Sequence, residues 1–288
     1  MGAVENSVGF AAMDSMLLRT LEGWFKVQLQ RVAASASSSK SAGEEANALY
    51  YLALQHLRSG DFAQGESAAR KAVDIRVRNN GALHTETLAA KGALGMLLRR
   101  ARKLEEARSV CVDVVEGRIQ SLGPEHFETF TAWSNLASCL YDLRKYDEAR
   151  PILLKVIAFS KRFYGPSHQN TLMVMNTLAL VHEESQKFDD ADATYAEIVE
   201  ESKRNLGLSH PSTLGFLHNY ADFLFKRRRH SEAEAMFAQC LEGRLRVLGP
   251  QHPATLDTKQ NLEFCRSLSR GMAFDWDAML KQHSSLPK

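Results

Sequence analysis

A single histidine recurs in this sequence at a fixed interval of 42 residues, the step from 84 to 126. The five occurrences are His84, His126, His168, His210 and His252. A threonine follows each of them by three positions, at Thr87, Thr129, Thr171, Thr213 and Thr255. Self-similarity with a period of about 20 to 50 residues is typical of stacked repeats, in which each unit packs mainly on its neighbours. The interval therefore predicts an array of repeats rather than a single globular domain.

Three positions inside the repeat predict a pair of packed helices. With the histidine as position 0, a large side chain stands at position 10 and a small one at position 11. Position 10 is Leu94, Leu136, Leu178, Tyr220 and Leu262, position 11 is Gly95, Ala137, Ala179 and Ala221, and position 23 is Ala107, Ala149, Ala191 and Ala233. A large residue beside a small one lets a neighbouring helix approach closely. We call the helix after the histidine helix A and the helix around position 23 helix B.

The ends of these helices can also be predicted from the sequence. Pro211 and Pro253 directly follow their histidines, and proline is favoured at the first position of a helix. Helix A should therefore begin at the histidine, which we expect to serve helix entry. Metal binding is not expected, because successive histidines are displaced by a whole repeat and cannot meet at one ion. Glycine, usually followed by proline, should end helix B, as at Gly123.

The repeats divide the chain into three parts. Residues 1–43 are predicted to form an amphipathic helix and a Ser/Ala linker, residues 44–268 the array, and residues 269–288 a tail. Within the array we expect repeats at about 44–81, 84–123, 126–165, 168–207 and 210–249, and a capping helix at 252–268. The amino-terminal helix should pack on the first repeat or on a partner, with an organelle-targeting segment as the alternative.

The composition argues against several classes of function. A formal net charge of +2 predicts neither nucleic-acid nor membrane affinity, and no apolar run approaches the roughly 20 residues of a spanning helix. The four cysteines show no Cys-x-x-Cys spacing and are expected to be buried free thiols in a reducing compartment, the cytoplasm. The sequence contains no catalytic triad pattern, glycine-rich phosphate loop or His-Glu-x-x-His motif. We therefore predict no enzymatic activity, no cofactor and no metal.

The large–small pair, the alanine at position 23 and the Leu-Gly-Pro that precedes His-Pro together resemble the tetratricopeptide repeat in its 42-residue form, as in kinesin light chains and nephrocystin-3-like proteins. The resemblance covers about residues 44–266. It implies an all-α fold, a right-handed superhelical solenoid of helix pairs, whose concave groove is lined by the A helices.

Candidate binding residues follow from this resemblance and from helix geometry. If position 10 faces the core, positions 5, 9, 12 and 16 form a stripe that points into the groove. The candidates are Asn135, Ser138, Asp142, Thr177, Glu184, Asn219, Asp222, Lys226 and Asn261. In related repeats an asparagine at position 9 hydrogen-bonds the backbone of an extended peptide. The alternative is that these are solvated polar positions.

Two further segments are candidates for contacts. Basic residues cluster at the turns between helices A and B, at Arg99, Arg100, Arg102, Lys103, Arg227, Arg228 and Arg229. We expect a solvated edge there, with an acidic partner or RNA as the alternative. In the tail, Phe274, Trp276 and Leu280 are predicted either to cap the array or to act as an internal pseudo-ligand in the groove.

The sequence as a whole predicts a non-catalytic protein-interaction scaffold or adaptor that binds a peptide or a partner helix in its groove. The alternative is a permanent structural subunit of a larger, RNA-associated or purely protein assembly. Nucleic acid and membrane insertion are not expected.

Overall fold

The computed structural model describes residues 42–269, and all regular secondary structure in this part of the chain is α-helical. Its helices are α1 Ala42–Ser59, α2 Phe62–Asn80, α3 Thr85–Arg100, α4 Leu104–Leu122, α5 Phe127–Asp142, α6 Tyr146–Phe163, α7 Gln169–Glu184, α8 Phe188–Asn205, α9 Pro211–Lys226, α10 His230–Leu248 and α11 Pro253–Ser269. Odd numbers are A helices and even numbers are B helices. The predicted all-α fold of helix pairs is confirmed. None of these helices is both long and apolar enough to cross a bilayer.

The chain divides into two compact units between Gln186 and Lys187. The first unit contains α1 to α7 and the second α8 to α11. Within each unit, every helix packs against the next helix in the chain, and in the first unit the A helices also touch, α1 with α3 and α3 with α5. The helix predicted in residues 1–43 and the tail residues Phe274, Trp276 and Leu280 lie outside the described residues.

The recurring histidine caps the amino terminus of every A helix that follows one. Its Nδ1 accepts a hydrogen bond from the backbone N–H two residues later, at 3.3 Å in α3, 3.1 Å in α5 and 3.2 Å in α7, α9 and α11. The first N–H groups of a helix have no partner within it, so a side-chain acceptor at this place stabilises the helix start. The predicted helix-entry role is therefore confirmed.

The threonine at position 3 fixes the loop that leads into helix A. In the first unit the hydroxyls of Thr87, Thr129 and Thr171 donate to the carbonyl oxygens of the loop glycines, at 2.9, 2.7 and 2.8 Å. These glycines have φ of 87°, 86° and 101°, a conformation that side chains disfavour. Glycine, histidine and threonine thus hold these three loops in one conformation.

The core has the composition that the repeat pattern predicts. The large residues at position 10 are all buried, and the alanines at positions 11 and 23 have no exposed surface. Position 23 lies near the start of each B helix, where a methyl group lets the two helices of a pair approach closely. The predicted core positions are therefore confirmed.

Helix A ends in a tight turn that places a non-glycine residue in the left-handed conformation. This residue stands at position 18 and is Arg102, Arg144, Gln186 or Arg228, with φ of 58° to 63°. The next N–H bonds back over the turn, for example from Lys145 to the carbonyl of Leu140 at 2.8 Å. The backbone of an L-residue is strained there by about 1–2 kcal/mol. In the first repeat the same position is Gly60, with φ of 84°.

Replacing Arg144 with glycine should raise the free energy of unfolding by about 0.5–1 kcal/mol. Glycine removes the backbone strain, and this gain is larger than the loss that comes from the greater conformational freedom of glycine in the unfolded chain. Urea unfolding monitored by circular dichroism measures the change. The reverse substitution at the matching position, Gly60→Ala, should lower stability. If Arg144→Gly were destabilising, the arginine side chain and not the backbone would decide this position.

Candidate functional site

A cavity of about 210 Å³ lies on the A-helix face of the first unit. Its walls are formed by Tyr50 of α1, Leu88, Ala89, Gly92, Ala93 and Met96 of α3, Val114 and Arg118 of α4, and Phe127, Glu128, Thr131, Ala132 and Asn135 of α5. Most of these side chains are apolar and only a few are polar, as is typical of sites that bind an apolar group and orient it with a few hydrogen bonds.

Small residues on α3 create the space. Ala89, Gly92 and Ala93 lie on one side of this helix, and a Cβ atom added to Gly92 would meet no other atom within 4 Å. At the positions of Ala89 and Ala93, α7 carries Met173 and Thr177, both of which are buried. The cavity is therefore a local property of this junction and does not follow from the repeat itself.

An aromatic row extends the cavity wall to the surface. Phe127 lines the cavity, and its ring centroid lies 5.8 Å from that of Phe163. Phe163 stacks on Phe159 at 5.6 Å, while 61% of its own surface is exposed. Aromatic rings that are packed on one side and exposed on the other are frequent in protein-interaction sites. The apolar surface offered to a partner thus continues beyond the cavity.

Two buried arginines contact residues of the cavity wall. Arg118 forms an ion pair with Glu128 and donates to the carbonyl of Thr85 at 3.1 Å. Arg76 lies over the ring of Tyr50, 4.7 Å from its centroid. Burial raises the pKa of Tyr50, so the phenol stays neutral. Burial also lowers the pKa of both guanidinium groups, which nevertheless stay charged because the ordinary pKa of arginine is far above neutral pH. These contacts fix Tyr50, Arg118 and Glu128 in the cavity wall.

The sequence reasoning missed these arginines, although they carry the repeat signal. Arg76, Arg118 and Arg244 share position 34, and each donates to a carbonyl in the first turn of an adjacent A helix. Arg76 and Arg244 bond the A helix that follows them, and Arg118 bonds the A helix that precedes it. Their spacing of one or three whole repeats could have identified them.

The structure distributes the predicted groove residues among different environments. Asn135 lies in the cavity wall and is 8% exposed. Ser138 and Thr177 are buried, and their hydroxyls donate to carbonyls of their own helices, those of Ser134 and Met173. These two hydroxyls therefore do not face a groove, because the adjacent helices cover them.

The remaining groove candidates are partly exposed. Asn219 and Asn261 are half-buried on α9 and α11 of the second unit. The charged members form side-chain contacts, Asp142 with Arg99 at 3.0 Å, Glu184 with the hydroxyl of Tyr146 at 3.3 Å, and Asp222 with Lys226 at 2.7 Å. Among the nine predicted groove residues, Asn135 is the one that lines the cavity described above.

The predicted basic edge is largely engaged in contacts within the protein. Arg99 does not lie on an edge, because it is 6% exposed and faces Asp142 of the next repeat. Two more of these residues pair with carboxylates of neighbouring helices, Lys103 with Glu66 at 2.9 Å and Arg229 with Asp192 at 2.6 Å. Arg100 and Arg227 lie over the rings of Phe62 and Phe188. Arg102 and Arg228 are exposed in the turns.

The described helices and loops contain no candidate metal site. Between residues 42 and 269, no group of three or more His, Cys, Asp or Glu side chains is arranged to hold a metal ion.

Asp142→Ala should lower the free energy of unfolding by about 1–3 kcal/mol, because it removes the carboxylate that faces a guanidinium only 7% exposed. Asp222→Ala is the matched control. Its pair with Lys226 leaves both side chains more than 40% exposed, and exposed pairs contribute about 0–1 kcal/mol. Urea unfolding of both variants measures the difference, and equal losses would contradict the burial argument.

Comparisons with known proteins identify the repeat. The family model described as tetratricopeptide repeat matches residues 44–126 and 128–200, and a second model of the same description matches residues 213–254. No curated protein matches the sequence.

Solved structures show the same fold at low sequence identity. A kinesin light chain-type protein of Podosopora anserina with nearly identical TPR-like repeats gives a TM-score of 0.65 at 19% identity, over 72% of this chain and 98% of the other. BtubC (BKLC) from P. vanneervenii gives 0.62 at 18% identity, over 74% and 84%. A Rap protein complexed with Competence and Sporulation Factor gives 0.50 at 16% identity, over 79% and 65%.

Since the two family models together span most of the array, the chain belongs to the tetratricopeptide repeat family, whose helix pairs generally form non-catalytic scaffolds for protein–protein interaction.

Proposed function

We propose that this protein is an adaptor that binds a peptide or a partner helix on the A-helix face of its first unit. The observation that carries the proposal is the apolar cavity between α3 and α5, with Asn135 in its wall. An apolar side chain of the partner would enter the cavity, while Asn135 would bond the partner backbone, since one amide both donates and accepts. The aromatic row that ends at Phe163 would continue the contact outside the cavity.

A protein partner fits the charges better than RNA does. RNA binding needs basic side chains that are free to neutralise phosphates. Here Arg99, Lys103 and Arg229 already face carboxylates of the protein itself. The fold relative Rap was solved in a complex with Competence and Sporulation Factor, which supports a role in binding a partner. We place the protein in the cytoplasm, because its four cysteines are buried free thiols, and we propose that it acts without catalysis.

Filling the cavity should abolish binding without damaging the fold. Gly92→Leu adds a side chain that points into open space, and leucine is the better helix former by about 0.5–1 kcal/mol. Gly215→Leu is the matched control, because Gly215 is also inside an A helix with no atom within 4 Å of an added Cβ, but lies outside the cavity. Both variants should therefore be at least as stable as the parent protein.

The binding test uses peptides selected from a displayed random library against the parent protein. Fluorescence polarisation should show affinity about tenfold or more weaker for Gly92→Leu, a loss of at least 1.4 kcal/mol, and unchanged affinity for Gly215→Leu. Peptides that bind both variants equally well would place the site elsewhere. A chain that is insoluble without a co-expressed partner would instead support the permanent-subunit alternative.

The polar part of the site has its own test. Asn135→Ala should weaken the same peptides by about 1–2 kcal/mol, because it removes a hydrogen bond in a desolvated place, and should leave the melting temperature nearly unchanged. Asn219→Ala, at the same repeat position in the second unit, shows whether binding extends there. Full affinity in the Asn135→Ala variant would remove this residue from the site.

A further inference from the structure

Two cysteines face one another inside the first unit. The Sγ atoms of Cys111 on α4 and Cys139 on α5 are 3.6 Å apart, and both residues are buried. The other two cysteines contact backbone oxygens instead, Cys240 the carbonyl of Leu214 at 3.1 Å and Cys265 that of His230 at 3.2 Å. Within residues 42–269, a thiol–thiol contact is therefore particular to this pair.

The pair is also an exception to the repeat. Cys111 stands at position 27 and Cys139 at position 13 of the following repeat. The equivalent pairs are Ala69 with Leu97, Leu153 with Val181, Tyr195 with Phe223, and Phe237 with Cys265. Each of these contains at least one bulky side chain, and the rings of Tyr195 and Phe223 lie 5.4 Å apart. Both bulky residues are replaced by cysteine only at the junction of α4 and α5.

A third exception makes room for the sulfur of Cys111. Position 11 is alanine in the four other repeats, at Ala53, Ala137, Ala179 and Ala221, but it is Gly95 here. A Cβ atom on Gly95 would lie 3.0 Å from Sγ of Cys111, which is tighter than about nine in ten real contacts of a Cβ atom, so the sulfur would have to move. Three departures from the repeat thus occur at one place, and together they bring two thiols into contact.

The cysteine pair lies next to the cavity. On α4, Val114 follows Cys111 by one turn and lines the cavity. On α5, Asn135 precedes Cys139 by one turn and lines it as well. A bond between the two sulfurs would therefore join two walls of the cavity.

We propose that Cys111 and Cys139 are a redox modification site, at which a peroxide converts the two thiols into a disulfide that alters the cavity. One thiolate sulfur attacks a peroxide oxygen, the O–O bond breaks, and the departing hydroxide takes up a proton to give water. The sulfur is now a sulfenic acid. The second sulfur attacks it, the S–S bond forms, the S–O bond breaks, and a second water leaves. Two thiols and one hydrogen peroxide thus give one disulfide and two waters, and a dithiol reverses the change.

The environment of the pair sets its rate and its effect. The hydrogen bond with Cys139 and burial both raise the pKa of the Cys111 thiol, so little thiolate exists at neutral pH and the reaction should speed up as pH rises. A disulfide has an S–S length of about 2.05 Å, so the sulfurs must approach by roughly 1.5 Å. This approach draws α4 toward α5 and shifts Asn135 relative to Val114. The effect on partner binding rests on the proposed function, whereas disulfide formation does not.

The chemical test treats the purified full chain with hydrogen peroxide at neutral and at mildly alkaline pH. Mass spectrometry of tryptic peptides should show a Cys111–Cys139 linked peptide, and the intact protein should lose the mass of two hydrogen atoms, faster at the higher pH. The melting temperature should rise and return after dithiothreitol. Cys139→Val, which installs the residue that α7 carries at this position, should show neither change, and Cys111→Ser provides an independent second variant. Cys265→Ser should behave like the parent protein.

Sulfinic acids without the linked peptide, intermolecular dimers only, or four thiols still reduced in the folded protein would each overturn the proposed site.

The effect on the cavity has two separate measurements. Hydrogen–deuterium exchange should slow in α4 and α5 of the oxidised protein and stay unchanged in α10. Affinity for peptides selected against the reduced protein should change by about fivefold or more on oxidation. A disulfide that leaves both unchanged would overturn the coupling to the cavity. If the disulfide slows hydrogen–deuterium exchange but no peptide can be selected against the protein, the redox site is supported and the proposed function fails.

Discussion

The hydrogen bond from the backbone to Nδ1 of the repeat histidine is the interaction on which the rest of the structure depends. It fixes the first residue of each later A helix, from α3 to α11. Because an α-helix has 3.6 residues per turn, the first residue determines which positions face the core ten and eleven residues later. In the first unit, the hydroxyl of threonine and the backbone freedom of glycine also hold the loop before it. The histidine cap thus sets the helix phase in each of these repeats, and in the first unit threonine and glycine reinforce it.

Packing rather than charge holds neighbouring repeats together. Ion pairs link successive B helices, for example Arg108 with Glu148 at 3.1 Å, but these side chains are 36% and 52% exposed, and such pairs contribute little. The arginines at position 34 differ, because Arg76 and Arg118 are buried and each donates to a backbone carbonyl in the first turn of an adjacent A helix. Charge is mostly balanced between adjacent helices, which agrees with the small net charge of the chain.

The candidate site lies where the repeat is least regular. Small residues on α3 open a cavity at positions where α7 carries Met173 and Thr177, and two cysteines with Gly95 replace bulkier residues next to it. Regular positions build the array, since every junction must satisfy the same packing. A junction that departs from them at several positions loses apolar contacts, a cost that binding a partner would offset. We therefore infer the fold from the positions that follow the repeat, and the function from the positions that depart from it.

The sequence by itself determined the period, the starts of the A helices, the buried positions 10, 11 and 23, and the all-α class. All of these depend on local signals, namely caps, turns and helical periodicity, which act within a few residues. The sequence also predicted Asn135 as a binding residue, and this residue lines the cavity. Only the tertiary structure decided that Ser138 and Thr177 are covered, that Arg99 meets Asp142 at a separation of 43 residues, and that Cys111 meets Cys139 at a separation of 28. The physical reason is that the distance between neighbouring helices depends on the side chains of both, and this distance decides whether a position is exposed, buried or part of a cavity.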